Sequence, residues 1–295
     1  MTPTAAHTMG CMQPSGVLPF FSALGIGERA ALMAFADQAL QPPPPEMVRW
    51  YCGAQALGLL TPIRAAWLVQ HLPACQVLDS ALVWDAAQWS AAQRSSVLQA
   101  TLLAAREQGL LTGWRNERFS FWEAGCTNPD PAREALLQVE RAGFRFLGML
   151  SHAVHVNGFL PDGRVWCGQR ALSKATDPGM LDNITAGGLP AGEGVHDCLQ
   201  RELAEEAGLH ALQGVVVQAA GTVRTARLEP QGWHDEILHV YNLTLQPHFT
   251  PVNQDGEVAA FHCLQAQEVL AAIQRGAFTV DATQTLLQGL RHVLA

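Results

Sequence analysis

The sequence lacks the marks of a disulfide-stapled or zinc-binding protein. Its cysteines are odd in number and scattered, and no two of them form a Cys-x-x-Cys pair. This pattern argues against a disulfide framework and against a zinc site, and it suits a reducing compartment. The seven cysteines stand at positions 11, 52, 75, 126, 167, 198 and 263.

An excess of positive charge and a long hydrophobic run are also missing. With 18 basic and 26 acidic residues the net charge is −8, so nothing attracts the chain in a general way to nucleic acid or to an anionic membrane. The N-terminus lacks a basic stretch followed by a long apolar core, and the least polar segment, 146–160, is too short to span a bilayer. We therefore expect a soluble, cytoplasmic monomer or homodimer that binds neither nucleic acid nor membrane.

What is present is an ordinary globular composition with one conspicuous proline run. The 295 residues, 48% hydrophobic and 15% charged, are enough for two domains. Pro42–Pro45 predicts a stiff polyproline spacer. We therefore divide the chain into an N-terminal helical tail with a Pro-rich linker (1–45), a small α+β accessory domain (46–148) and a larger domain (149–295).

The accessory domain is predicted from turn and cap signals. A hairpin is expected to turn near Gly53, and a helix begins with Pro62 at its first position. The segment 75–84 has the composition of a single strand. A long helix follows, with Ser90 as its N-cap and Gly109 as its stop.

In the larger domain one predicted helix crowds three glutamates onto one face. An apolar stripe indicates a helix from about His196 to Ala207, which ends at the Gly208-Leu209 signal. Glu202, Glu205 and Glu206 lie at i, i+3 and i+4, where like charges destabilise a helix by roughly 0.2–0.5 kcal/mol per pair. Carboxylates near a helix C-terminus add a penalty of similar size. The cluster makes sense if a cation sits among these acids.

The residues before the helix support a metal site. Gly187 and Gly188 allow a backbone that other residues resist, so a main-chain carbonyl can approach a ligand. Carboxylates beside a free carbonyl are hard oxygen donors, which suit Mg²⁺ or Mn²⁺ shared with substrate phosphates.

This stretch resembles the Nudix box, G-x5-E-x7-R-E-U-x-E-E-x-G-U, where U is a bulky aliphatic residue. The matching positions are Gly187, Glu193, Arg201, Glu202, Leu203, Glu205, Glu206, Gly208 and Leu209. The resemblance implies an α/β/α sandwich with a mixed sheet, hence an α/β fold, and metal-dependent hydrolysis of a small-molecule diphosphate.

The resemblance also implies roles for individual residues. Glu202, Glu205 and Glu206 would bind the metals together with the carbonyl of Ala186. Glu193 and Arg201 would form an ion pair that orients the loop, with Gly187 and Gly208 shaping its two ends. Many Nudix enzymes place a fourth acid just before a strand, and the residue at that place is Glu257, as a base or an added ligand.

Four more residues are candidates for substrate binding on chemical grounds. Arg170 could grip a diphosphate as a fork and Lys174 as a point charge. Trp114 and Trp233 could stack on a planar ring, although a buried tryptophan more often packs in a core.

Four segments outside the box resemble one Nudix subfamily with an extra N-terminal domain. These segments are 166–188, GWRNE at 113–117, HVNGF at 155–159 and NQDGEVAAF at 253–261. The subfamily is similar to the Nudix portion of fungal thiamine pyrophosphokinases and to plant and yeast hydrolases of thiamine diphosphate analogues. This implies cleavage of oxidised or damaged thiamine diphosphate to the monophosphate and phosphate. An ADP-ribose or dinucleotide hydrolase and a non-catalytic ligand-binding module stay open as alternatives.

Overall fold

The computed structural model describes residues 16–210 and 214–294, and Cys11 lies outside them. The first unit of the described residues contains a mixed four-stranded sheet in the order β2-β1-β4-β3 and a separate hairpin, β5–β6. Its strands are Val48–Cys52 (β1), Gln55–Leu60 (β2), Cys75–Leu78 (β3), Ala81–Trp84 (β4), Arg118–Phe121 (β5) and Leu137–Glu140 (β6). Two helices precede this unit in the chain, Val17–Ala23 (α1) and Ile26–Met33 (α2). The helices of the unit itself are Pro62–His71 (α3), Ala91–Glu107 (α4) and Arg141–Leu147 (α5).

Most of the local predictions for this unit are confirmed. The β1–β2 hairpin turns at Gly53, whose φ is +57°, and α3 has Pro at its N-terminus behind a Thr61 side-chain cap. Helix α4 begins after Ser90 in a capping box. The single strand expected at 75–84 was wrong: the chain reverses there through Asp79 and Ser80, with φ of +48° and +65°, which gives the hairpin β3–β4.

The second unit is a mixed sheet between two helical layers, as predicted. Strand β7 lies in the middle of the order β11-β12-β7-β8-β13, parallel to β12 and antiparallel to β8, while β10 pairs with β7 and β9 with β8. The strands are Ser151–Phe159 (β7), Val165–Arg170 (β8), Leu181–Asp182 (β9), Thr185–Gly188 (β10), Val216–Glu229 (β11), Gly232–Thr244 (β12) and Val258–Leu264 (β13). The helices are Val195–Ala207 (α6), Ala266–Gln274 (α7) and Val280–Leu294 (α8).

Alternation along β7 divides the interior of this unit into two layers. Val154 and Val156 belong to the core under α6, whereas Phe159 belongs to the core under α7 and α8. A sheet covered on both faces by helices is the α/β/α sandwich that the box implied.

The N-terminal segment is part of this second unit and not a tail. Helices Val17–Ala23 (α1) and Ile26–Met33 (α2), followed by a 3-10 turn at Ala34–Gln38, bury Phe20 and Leu32 in the core of α7 and α8. Their apolar stripes pack there because burial removes them from water. Within the described residues no single helix is long and apolar enough to cross a membrane, and the bent pair of α1 with 26–38 qualifies by length and composition alone.

The two units meet through backbone as well as side chains. Gly58 of β2 forms an isolated antiparallel bridge with Met149, the first residue of the second unit. A Cβ added to Gly58 would lie 2.1 Å from the adjoining carbonyl oxygen of Gly148, so only glycine permits this approach. Ile237 of β12 is buried in the core of the first unit. The second unit is thus anchored directly on the first.

Candidate functional site

Gly187 brings strand β10 against the glutamate face of α6. β10 pairs antiparallel with β7, and this places Gly187 where an added Cβ would lie 1.7 Å from Oε1 of Glu202. A larger residue at this box position would therefore displace that carboxylate. The carbonyl of Ala186, one residue earlier, belongs to the same strand end.

Glu206 is the most deeply enclosed acid of the box and is 5% exposed. It accepts hydrogen bonds from the Thr185 hydroxyl at 2.6 Å and from the Ala186 amide at 2.9 Å. Burial, with the charge of Glu202 second, raises its pKa to about 8. Burial also raises the pKa of Glu202. Two neighbouring carboxyl groups that resist ionisation in this way are suited to a cation as counter-charge.

Arg201 organises the box. Its Nε and Nη2 donate to Glu193, both at 2.9 Å, which is the ion pair expected from the resemblance. Its Nη1 also donates to Glu202 at 2.7 Å and to Glu205 at 3.0 Å. The side chain of Glu205 is 46% exposed, so of the three helix acids it is the one most open to solvent.

The loop 252–257 closes the C-terminal end of α6 and delivers further acids. The amide of Gln254 donates to the Glu205 carbonyl at 2.8 Å. Gly208 has a φ of +68°, and a Cβ there would be 2.9 Å from the Val252 carbonyl. The loop thereby brings carboxylate oxygens of Asp255 and Glu257 within 4.8 Å of one from Glu206.

These donors fit a hard divalent ion. They are all oxygens, one of them is nearly buried, and a main-chain carbonyl stands beside them. Sequence reasoning placed Glu257 near the box but missed Asp255. The only available signal was its position two residues earlier in the turn NQDGE, which any solvated turn can share.

Lys174, the only lysine of the chain, lies at the same place. Its ammonium pairs with the Glu257 carboxylate. Although burial opposes it, Lys174 lowers the pKa of Glu257, and Arg115 and Arg141 add to the effect. Arg170 instead pairs with Asp182 at 2.7 Å and donates to the Thr176 carbonyl.

Two adjoining cavities of about 180 Å³ each form one cleft beside the box. Their lining residues overlap, and both units contribute to them. From the first unit they include Gly113, Arg115, Phe119, Arg141, Phe144 and Arg145, and from the second Arg170, Lys174, Gly187, Glu202, His234, Glu236 and Glu257.

Neither predicted tryptophan is among the described residues that line this cleft. Trp233 is 3% exposed, so its ring offers no open face for stacking, and the prediction for it is wrong. Trp114 packs against the first core, with the Arg106 guanidinium 5.0 Å from its ring centre. Its neighbours in the motif GWRNE, Gly113 and Arg115, face the cleft instead.

The histidines have structural partners. His152 and His239 face each other at 3.3 Å, and burial lowers their pKa values to about 3 and about 4. His155 is bonded to Asn183 at 2.8 Å. His234 lines the cleft. It accepts a hydrogen bond from Arg145 at 2.8 Å and lies 3.5 Å from the Asp281 carboxylate.

The structure is an α/β/α sandwich that gathers carboxylates at the end of one helix. Residues 151–283 match the family model of the NUDIX domain. The segment from β7 to the first turn of α8 is thus similar to the NUDIX domain.

Two plant proteins and one bacterial structure illustrate its relatives. Nudix hydrolase 24, chloroplastic, of Arabidopsis thaliana is 33% identical over 183 residues, covering 61% of this chain and 48% of that protein. Nudix hydrolase 20, chloroplastic, of the same plant is 34% identical, covering 58% and 45%. The chain thus spans about half the length of each. The structure of DR0079 from Deinococcus radiodurans, 20% identical, aligns with a TM-score of 0.45 over 58% of this chain and 97% of that one.

Proposed function

We propose that the protein is a divalent-metal-dependent diphosphate hydrolase. The observation that carries the proposal is the meeting of Glu202, Glu206 and Glu257 at the edge of a cleft that Ala186, arginines and a lysine also line. A diphosphate is highly anionic, and water attacks it only when that charge is neutralised. Acids that hold a cation, next to side chains that bind phosphate oxygens, meet this requirement.

A bound Mg²⁺ or Mn²⁺ would supply charge screening and activation of water. Glu202, Glu206 and the Ala186 carbonyl would hold it, with Glu205 and Asp255 at the rim. Arg201 orients Glu202 and Glu205 through hydrogen bonds and is not among the described residues that line the cleft.

The other cleft residues bind phosphate and handle protons. Glu257, kept ionised by Lys174, serves as an added ligand or accepts a proton from the attacking water. Lys174 and Arg170 face the cleft with charges that phosphate oxygens can share.

For the substrate we propose oxidised or otherwise damaged thiamine diphosphate, cleaved to the monophosphate and phosphate. Support comes from the four segments that resemble the thiamine-related subfamily, because each of them contributes to the cleft. They contribute through Arg115 of 113–117, His155 of 155–159, Lys174 of 166–188 and Glu257 of 253–261.

The test is phosphate release in the presence of Mg²⁺ from a panel of thiamine, oxothiamine and oxythiamine diphosphates, ADP-ribose, NADH and a nucleoside triphosphate. The Glu205→Gln/Glu206→Gln double variant would lose the activity, whereas Glu46→Gln, an exposed acid of the first unit, would keep it. Selective turnover of ADP-ribose or NADH would retain the metal chemistry and overturn the thiamine assignment. Binding of panel members without any turnover would indicate a ligand-binding module.

A further inference from the structure

The wall of the cleft that faces Glu257 is built by the first unit. Arg115 stands in the loop after α4, Phe119 lies on β5, and Arg141 and Phe144 lie on α5. None of these four residues belongs to the Nudix box. The residues that would meet the outer part of a bound substrate therefore come from a unit outside the matched domain.

This wall contacts the box directly. A Cβ on Gly188 would lie 2.3 Å from Cζ of Phe119, so the second glycine of the pair makes room for that ring. The Ala191 amide donates to the Arg118 carbonyl at 2.8 Å. Arg115 Nη1 is 3.7 Å from Oε1 of Glu257.

Two arginines of the wall have partly exposed side chains. Those of Arg115 and Arg141 are 47% and 41% exposed. Arg141 donates to the Glu117 carboxylate at 2.7 Å, and its guanidinium lies 5.2 Å from the centre of the Phe119 ring. Arg145 is less exposed, at 23%, and pairs with Glu229 at 2.8 Å and with His234.

Two hydrogen bonds connect the loop of Arg115 with residues 140–141 at the start of α5. Glu140 is 1% exposed and accepts a hydrogen bond from the Arg115 amide at 2.9 Å. The Arg141 amide donates to the Glu117 carbonyl at 2.9 Å. The loop carrying Arg115 is thus fixed to the start of α5, which carries Arg141. In the motif GWRNE, Arg115 is therefore the residue held at the cleft, whereas Trp114 packs against the first core.

We propose that the first unit completes the substrate site: Arg115 and Arg141 bind the phosphate groups of the substrate. Each guanidinium offers a planar pair of donors that matches phosphate oxygens. The unit then helps to position the substrate, because it supplies phosphate-binding side chains from outside the box. This inference rests on the proposed function for the identity of the substrate class, a diphosphate.

The test is binding of methylenediphosphonate with Mg²⁺ to the full chain, measured by calorimetry, for Arg115→Gln and Arg141→Gln. Each variant should weaken binding roughly tenfold, the usual size for a lost charge-assisted hydrogen bond. Arg115→Lys should restore part of it. Arg49→Gln, an exposed arginine on β1 of the same unit, is the matched control. Binding by Arg115→Gln and Arg141→Gln within twofold of the unaltered protein would overturn the inference, as would an equal loss in Arg49→Gln.

Kinetics separate this inference from the proposed function. In the active protein both substitutions should raise KM for the preferred diphosphate much more than they lower kcat. If the unaltered chain hydrolyses the panel and KM does not change in the variants, the inference fails and the proposed function stands. If the chain binds methylenediphosphonate through Arg115 and Arg141 but hydrolyses nothing, the proposed function fails and the inference stands.

Discussion

At the scale of single residues, the site depends on close packing between Gly187 and the Glu202 carboxylate. Gly187 lies so close to Glu202 that one methyl group would occupy the position of the carboxylate. Protein interiors are close-packed and transmit such strain to their neighbours. Small substitutions here should therefore affect metal binding before they affect folding.

Gly187→Ala should reduce Mg²⁺-dependent kcat/KM by roughly 100-fold, because the displaced Glu202 carboxylate would hold the ion about 1 Å away from its productive place. Steady-state kinetics and thermal unfolding of the same samples test this. Gly125→Ala, where an added Cβ meets nothing within 4 Å, is the control. Activity of Gly187→Ala within twofold of the unaltered protein would contradict the proposed role of this glycine.

The raised pKa of Glu206 gives a pH dependence to metal binding. With a pKa of about 8, the metal-free protein holds a proton there at neutral pH, and the ion must displace it. The apparent Kd for Mg²⁺ should fall roughly tenfold per unit as pH rises from 6 to 7, since one proton is released. Calorimetry in buffers of different ionisation heat would count that proton. Glu206→Gln should remove this dependence, and an unchanged slope in that variant would disprove the assignment.

The same carboxyl has a predictable effect on stability. Its pKa in the folded protein is raised above the ordinary value of 4.5, so the folded state binds the proton more tightly than the unfolded chain. Its contribution is fully present below pH 4.5 and is lost as pH rises through about 8. The difference in free energy of unfolding between the metal-free unaltered protein and Glu206→Gln should change in that window, which urea titrations at several pH values would show.

At the scale of elements, helix α8 lies against the sheet through buried amides. Asn157 and Asn242 are 1% and 0% exposed. Asn157 donates to the Asn242 side chain at 3.0 Å, and Asn242 donates to the Gly289 carbonyl at 2.9 Å. A Cβ on Gly289 would be 2.3 Å from the Asn242 oxygen. The absence of a side chain at one helix position thus fixes where this layer packs.

Gly289→Ala should lower the free energy of unfolding by about 1–3 kcal/mol, because it overpacks the interface and strains buried hydrogen bonds. Gly27→Ala in α2, where nothing lies within 4 Å of the added Cβ, should be neutral or slightly stabilising. Urea midpoints of the two variants give the comparison. Equal stability of both would show that α8 adapts more freely than its packing indicates.

Elements whose signals are local in sequence were predictable. Helix α6 and its acids follow from spacing along one segment, and the cap at Ser90 follows from its own side chain. The β3–β4 turn was missed because Asp79 and Ser80 carry positive φ without a glycine to announce it. Arg115 and Asp255 were missed as site residues because their place depends on how distant segments meet, which no local pattern encodes. The burial of Trp233 likewise depends on long-range packing.

At the scale of the whole molecule, the N-terminal helices belong to the same core as the C-terminal ones. Phe20 is fully buried and its ring meets that of Phe159 edge-on, with centres 5.6 Å apart. Phe20→Ala should cost about 3–5 kcal/mol of folding free energy, the usual range for a buried phenylalanine. Leu18→Ala, 37% exposed in the same helix, should cost much less. Chemical denaturation measures both losses of folding free energy. Equal losses would show that the N-terminal segment is a tail and not part of this core.

The pairing of Lys174 with Glu257 has a consequence for how the site fills. A divalent ion that binds the Glu257 carboxylate releases the ammonium of Lys174 from its ion pair. A phosphate that binds this ammonium releases the carboxylate in turn. Metal and diphosphate should therefore bind with positive cooperativity, each tightening the other by the same factor, as linkage requires. Because the chain has only one lysine, a single isotope-labelled side-chain resonance would follow this exchange of partners. The protein should then bind metal alone or diphosphate alone weakly, and bind both tightly when both are present.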